Sequence, residues 1–295
     1  MKRWVRIGAR LAGAVAAGGV AAAAIGTSTW NRATARTVAR LHARMHRPAE
    51  DEGSAANTAS ARTFEPAMLA GLPAPVVRYF EFALTPGQRL VRAARLEQAG
   101  SFAMKRDAWV PFTATEHLTA RPVGFVWDAR IRMAPVIPAL VRDSYIGGEG
   151  AMTGTVAGVV PLVNQHGTAS IASGALVRYL AEAVWLPTAL LPVNGVTWEG
   201  VDDSTARATL VDGATRVSLD FRFAPDGRAT GTRGERLRDD GGRSTLLPWV
   251  GKHEDYEPVQ GMMIPRRGEV GWIMPDGPFW YWRGRQVAVT YEWEE

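Results

Sequence analysis

The chain is 295 residues long, carries a formal net charge of +5 and contains no cysteine, which excludes disulfides, thiolate metal sites and cysteine nucleophiles. Nine of its Lys and Arg residues fall in the first 47 positions, where there is no Asp or Glu, so the remainder holds 25 basic against 29 acidic residues, a net of −4. A nucleic-acid protein carries its positive field on the domain that docks; here the field belongs to an N-terminal arm, and nucleic acid is not an expected partner.

Within that arm, Leu11 to Asn31 runs 21 residues without a charge. As a helix it would measure about 31 Å, close to the hydrocarbon core of a bilayer. Lys2, Arg3, Arg6 and Arg10 in front of it favour a cytoplasmic N-terminus. The run is mostly Ala and Gly, and three readings fit it. One is a signal-anchor with Trp30 at the far interface; another is a signal peptide cleaved near Ala22-Ala23-Ala24. The third is an Ala-rich helix of a cytosolic protein. The first places residues 1–31 in the cytoplasmic membrane with the rest of the chain outside the cytoplasm; the second exports it. Arg32, Arg36, Arg40 and Arg44 recur every four residues on one side of a continuing helix, a pattern suited to anionic lipid headgroups or to solvent. Val38, Leu41 and Met45 mark another side. Pro48 to Ala61 is small, polar and aperiodic and reads as a flexible linker, so residues 32–61 form a basic helix and linker, and residues 62–295 a single domain.

The domain opens with apolar residues at helical spacing from Glu65 to Ala83, divided by Pro73 and Pro75 into two short helices. Strand-like runs follow at Leu96–Met104, Val110–Thr119, Val123–Met133, Ala139–Ile146 and Ala151–Val163. Phe125, Trp127, Ala129, Ile131 and Met133 share one face of the third run and Asp128, Arg130 and Arg132 the other, the mark of a sheet wet on one side. A helix capped by Ser173 presents the stripe Leu176, Tyr179, Leu180, Ala183 and Val184 before Pro187 ends it, with Arg178 and Glu182 paired off that stripe. Further strands are expected at Val196–Val201, Ala206–Val211, Thr215–Phe223, Arg228–Arg236, Val270–Met274, Phe279–Trp282 and Gln286–Trp293. Asp212-Gly213 and Asp226-Gly227 mark hairpins among them. This order predicts a mainly antiparallel α+β fold without a βαβ rhythm.

Leu72-Pro73 through Val77-Arg78-Tyr79-Phe80, Tyr179-Leu180-Ala181-Glu182-Ala183-Val184-Trp185-Leu186-Pro187, Pro248-Trp249-Val250-Gly251, and Tyr256 with Gly261, Ile264-Pro265 and Trp272 resemble a bacterial family known as domain of unknown function 6544. The resemblance runs from Phe64 to Glu295 and implies no particular activity. The layout of consecutive strands, inserted helix and late Tyr-Gly-Pro segment is also similar to lipoprotein-carrier half-barrels. That likeness implies a curved sheet wrapped around helices and sheltering an apolar cavity.

Chemistry is sparse. No nucleophile elbow, zincin helix, phosphate loop or calcium loop is present, and no cofactor or metal is implied. Gly147-Gly148-Glu149-Gly150 reads as a turn. If extended, His253-Glu254-Asp255-Tyr256-Glu257 would place His253, Asp255 and Glu257 on one face as an acid/base or metal site, against the alternative of a solvated edge. Phe279-Trp280-Tyr281-Trp282 must face both sides of a strand, so some of these rings lie outside a simple core. The favoured reading is a non-enzymatic, membrane-tethered or exported envelope module. It would bind an apolar, lipid-like molecule or an envelope partner in the concavity of its sheet through Trp127, Ile131, Leu176, Leu180, Val184, Trp185, Trp272 and Trp280. The alternative is an envelope hydrolase or other enzyme built around His253.

Overall fold

A computed structural model describes residues 2–46, 62–134, 137–240 and 243–294; the expected linker, 48–61, lies outside them. Helix α1 is Lys2–Arg44, α2 is Ala74–Ala83 and α3 is Ala169–Glu182. The strands are β1 Val91–Lys105, β2 Ala108–Thr119, β3 Gly124–Ala134, β4 Ile137–Ile146, β5 Glu149–Val156 and β6 Val160–His166. After α3 come β7 Thr197–Asp202, β8 Thr205–Asp212, β9 Thr215–Phe223, β10 Ala229–Asp240, β11 Arg243–Val259, β12 Met262–Met274 and β13 Gly277–Trp293.

These strands form one antiparallel sheet in the order β6-β5-β4-β3-β2-β1-β13-β12-β11-β10-β9-β8-β7. Two meanders are joined where β1 pairs with β13, Leu96 opposite Val289. Helix α3 connects β6 to β7, the two terminal strands, and touches both β5 and β9. The sheet must therefore curl around it, as its cumulative right-handed twist allows. The concave side holds α2, α3 and the short 3-10 turns that follow α3, in one buried cluster.

The expected division of Glu65–Ala83 is found as a 3-10 turn, Pro66–Leu69, and α2. The expected run Ala151–Val163 is broken into β5 and β6 by a turn in which Ala157 and Gly158 take positive φ. The start of α3 is also corrected. Thr168, not Ser173, caps it, its Oγ1 accepting from the Ile171 N–H at 3.2 Å. Thr168 is extended and Ser173 already helical, so only the former can reach back to the free amides of the first turn.

Helix α1 changes the reading of the arm. It is continuous through the expected boundary at residue 31 and packs on the convex face of β2, β3 and β4. Trp30 is buried there: its indole N–H donates to Asp128 at 2.7 Å and Arg142 lies over the ring. Leu41 packs with Val126 and Ile146, Val38 beside them, so the Val38–Leu41 side covers the sheet. Arg40 pairs with Glu149 across to the β4–β5 turn. No helix among the described residues is long and apolar enough to cross a membrane.

Candidate functional site

Strand alternation sends one set of side chains into the concavity, and Leu176 and Leu180 of α3 and Val184 of the 3-10 turn after it lie over it, all fully buried. Trp127, Ile131, Trp185 and Trp272 join them in the same cluster, so seven of the eight residues expected to line the concave face converge. The exception is Trp280. A register shift between Val270 and Gly271 on β12 adds a residue to β13, and such a bulge resets which side chains point inward. Phe279, Tyr281 and Trp282 pack on the core, whereas Trp280 stacks under the Lys252 ammonium, 4.3 Å from its ring centre.

The wall is tightly packed near α3 and looser toward the β12–β13 turn. There Phe102, Val110, Met274, Phe279 and Tyr281 are only half-buried. Tyr281 lies 5.7 Å from Phe102 and 6.5 Å from Trp272 between ring centres, and Arg238 caps Phe279 at 5.7 Å. Deeper along the same face, His253, Gly268 and Gly284 are paired across β11, β12 and β13. Without side chains, Gly268 and Gly284 let indoles rest on the backbone: a Cβ at Gly268 would meet the Trp282 ring at 3.5 Å and the Trp185 ring at 3.8 Å.

Two polar groupings lie in this interior. The first centres on Arg178, whose Nε donates to Glu182, Nη1 to Asp143 and Nη2 to Glu116, at 3.0, 2.8 and 3.2 Å. Gln98 donates to Glu116 and accepts from the Trp127 indole, both at 2.8 Å. The guanidinium also lies 4.8 Å from the Trp127 ring centre and 4.9 Å from that of Phe125. Burial, then the neighbouring Glu182 charge, push the Glu116 carboxyl well above its ordinary range, against the opposing pull of Arg178. Burial opposes the Arg178 charge, but Glu182, Asp143 and Glu116 together outweigh it and keep it protonated. The sequence paired Arg178 with Glu182 but did not turn them inward. Its available signal was Glu116 in phase with apolar Ala114 and Leu118 on one strand face.

The second grouping has no partners. The indole N–H of Trp185, both ring nitrogens of His253, the side-chain amide of Gln286 and the Thr232 hydroxyl are buried without a hydrogen bond. Each buried, unpaired polar group costs about 1–3 kcal/mol, and such a cluster in a native interior calls for an occupant or a role. Burial lowers the His253 pKa to about 4, so the imidazole is neutral at neutral pH. A histidine depressed in this way stabilises the fold above its ordinary pKa and loses that contribution as the pH falls from about 6.5 to about 4. Urea melts at pH 7 and pH 4.5 should show the wild type losing on the order of 2–3 kcal/mol more than His253→Leu; equal losses would place the acid sensitivity elsewhere.

The expected triad does not assemble. Asp255 takes a left-handed conformation, φ 55°, which resets the alternation. His253 points inward, while Asp255 and Glu257 lie outside, ion-paired with Arg267 and Arg266 at 3.4 and 3.7 Å. They line a polar cleft of about 460 Å³ on the convex face with Glu269 and Arg283. Another crevice, about 500 Å³, separates α1 from β2 and β3 and is lined by Thr34, Val38, His117, Val126 and Asp128. Burial lowers the His117 pKa to about 4 and raises that of Asp128. Among the described residues no group of three or more His, Asp or Glu is placed to hold a metal.

A family model described as "Family of unknown function (DUF6544)" matches residues 62–284. No curated protein matches the sequence. Among solved structures, a LolA superfamily protein from Nitrosomonas europaea is similar, with a TM-score of 0.34 and 9% identity over 74% of this chain and 92% of that one. A beta-barrel-like protein of domain of unknown function DUF1849 from Brucella abortus gives a TM-score of 0.22 and 9% identity, over 69% and 99% of the two chains.

Proposed function

Since the chain belongs to the DUF6544 family, whose description assigns no activity, we propose from the geometry alone that its domain is a non-catalytic module binding an amphipathic, largely apolar molecule on the concave face. The observation that carries this reading is that one face holds half-buried aromatic residues at its margin and, deeper along it, interior polar groups that lack partners. Phe102, Phe279 and Tyr281 offer the apolar body of a ligand a partly open wall. His253, Gln286 and Trp185 offer donors and acceptors to its polar group, none of them engaged by the protein. An apolar site with a few convergent polar groups is the usual composition of a small-molecule pocket. The Arg178 ion pairs hold α3 on the sheet behind this site.

The test uses the full chain, an anthroyloxy-labelled fatty acid as probe, and the variant His253→Leu/Gln286→Leu. Removing unpaired polar atoms in favour of apolar ones should leave the melting temperature unchanged or higher. Probe affinity should nevertheless fall about tenfold or more, the effect of losing hydrogen bonds worth about 1.5 kcal/mol. Unaltered affinity, or no binding by the wild type, would sink the reading. Phe279→Ala should weaken the probe by a similar factor, whereas Trp280→Ala, on the other face, should not.

A further inference from the structure

From the surface at one end of the sheet we infer that the folded domain has its own bilayer-docking edge, formed by the ends of the β3–β4 and β5–β6 hairpins beside α1. Six apolar side chains there are exposed: Ile25 on α1, Met133 and Ile137 on β3 and β4, and Val159, Val160 and Leu162 on β6 and the turn before it, each at 40% or more. The elements that carry them meet at this edge. The Ala157 N–H donates to the Pro138 carbonyl, tying the two hairpin ends together at 2.8 Å. Gly26 of α1 meets Gly158 of the β5–β6 turn so closely that a Cβ on Gly26 would fall 2.6 Å from the Gly158 carbonyl oxygen. Only glycine permits that crossing, and it seats Ile25 next to Val159.

Charge identifies the occupant as an anionic lipid surface. Residues 150–163 contain no charged side chain, and Arg130 and Arg132 lie on β3 close to the hairpin end, while Arg142 is turned to Trp30 and Asp128 further along the sheet. Helix α1 crosses this edge at Gly26, within the uncharged run Leu11–Asn31, and the first 47 residues contain nine cations and no anion. The residues just before the crossing, Ala21, Ala22, Ala24 and Ile25, are exposed, so the apolar surface of the domain continues onto the helix. Apolar side chains flanked by Arg, without acids, partition into the headgroup–acyl boundary. The edge needs no spanning helix and is independent of the ligand proposed for the concave face.

The cysteine-free chain makes the test direct. Leu162→Cys and, on the opposite terminal strand, Val201→Cys are each labelled with nitrobenzoxadiazole and mixed with vesicles of equimolar phosphatidylcholine and phosphatidylglycerol. The dye at position 162 should brighten and shift to the blue, and the dye at 201 should not. Flotation of the full chain carrying Val160→Asp/Leu162→Asp should show at least about a tenfold loss of vesicle partitioning, since two half-exposed side chains no longer leave water. Its melting temperature should stay at the wild-type value. Vesicle binding with no response at 162, or binding unaffected by the double variant, would overturn the inference, because α1 alone would then account for it. So would a response at 162 that tracks protein concentration without vesicles, which would identify β6 as the pairing edge for a second copy.

Discussion

Replacing Arg178 with leucine should destabilise the domain by about 3–5 kcal/mol, the largest single-site effect expected, because it strands buried carboxylates without their cation. Glu116 is fully buried, and Asp143 and Glu182 have side-chain exposures of only 12%. Each loses a charge-assisted hydrogen bond at 2.8–3.2 Å. The excess negative charge must then be removed by protonation, so the variant should be most deficient at alkaline pH. Glu116 sets the sign in the parent protein as well. A carboxyl whose folded pKa is raised above its unfolded value contributes stability below the unfolded pKa. It loses that contribution as pH rises toward the folded one. Chemical denaturation across pH 5–9 should therefore show Arg178→Leu losing stability more steeply than wild type. Glu116→Gln added to Arg178→Leu should recover part of the loss, since one uncompensated acid is gone. A cost below about 1 kcal/mol would mean that the ion pairs are effectively solvated.

Shortening Leu180 to alanine should cost about 2–5 kcal/mol. Leu180 is fully buried among the residues that pack α3 on the sheet, and the packing around it leaves the interior little freedom to collapse. The measurement bears on function because the same side chain was expected to line a ligand cavity. A residue facing a pre-existing cavity loses fewer contacts on truncation, and a cost well under 2 kcal/mol would move the binding surface from the aromatic margin to the α3 interface. Calorimetry of Leu180→Ala with and without an apolar probe distinguishes the two: a probe that restores stability occupies the new void, and one that does not is bound elsewhere.

Much of the architecture was legible in the order of residues. Side-chain alternation is a local property of an extended chain, so Phe125, Trp127, Ala129 and Ile131 could be assigned to one face before any partner strand was known. Pro73 and Pro75 are equally local in their effect: Pro73 stands at the start of α2, after the 3-10 turn at Pro66–Leu69, and Pro75 lies in the first turn of α2. The stripe Leu176, Leu180 and Val184 follows from helical periodicity alone. Family membership likewise rests on short runs that can be read in one dimension.

Tertiary structure decided what alternation and periodicity leave open. Period two says that His253, Asp255 and Glu257 share a face only while φ stays negative; the left-handed Asp255 interrupts it, and one residue's torsion separates the three. The bulge on β13 does the same for Trp280, as its register is set by β12, not by its neighbours in sequence. Arg178, Glu182, Glu116 and Asp143 come from a helix and two strands as many as 66 positions apart. A curled sheet can bring them together only because α3 spans from β5 to β9. Even the basic arm, whose composition alone suggested lipid, turns Trp30 and Leu41 to the domain. Its amphipathic face could be recognised from spacing, but what covers that face depends on a surface encoded some 90 residues later, at Val126 and Asp128.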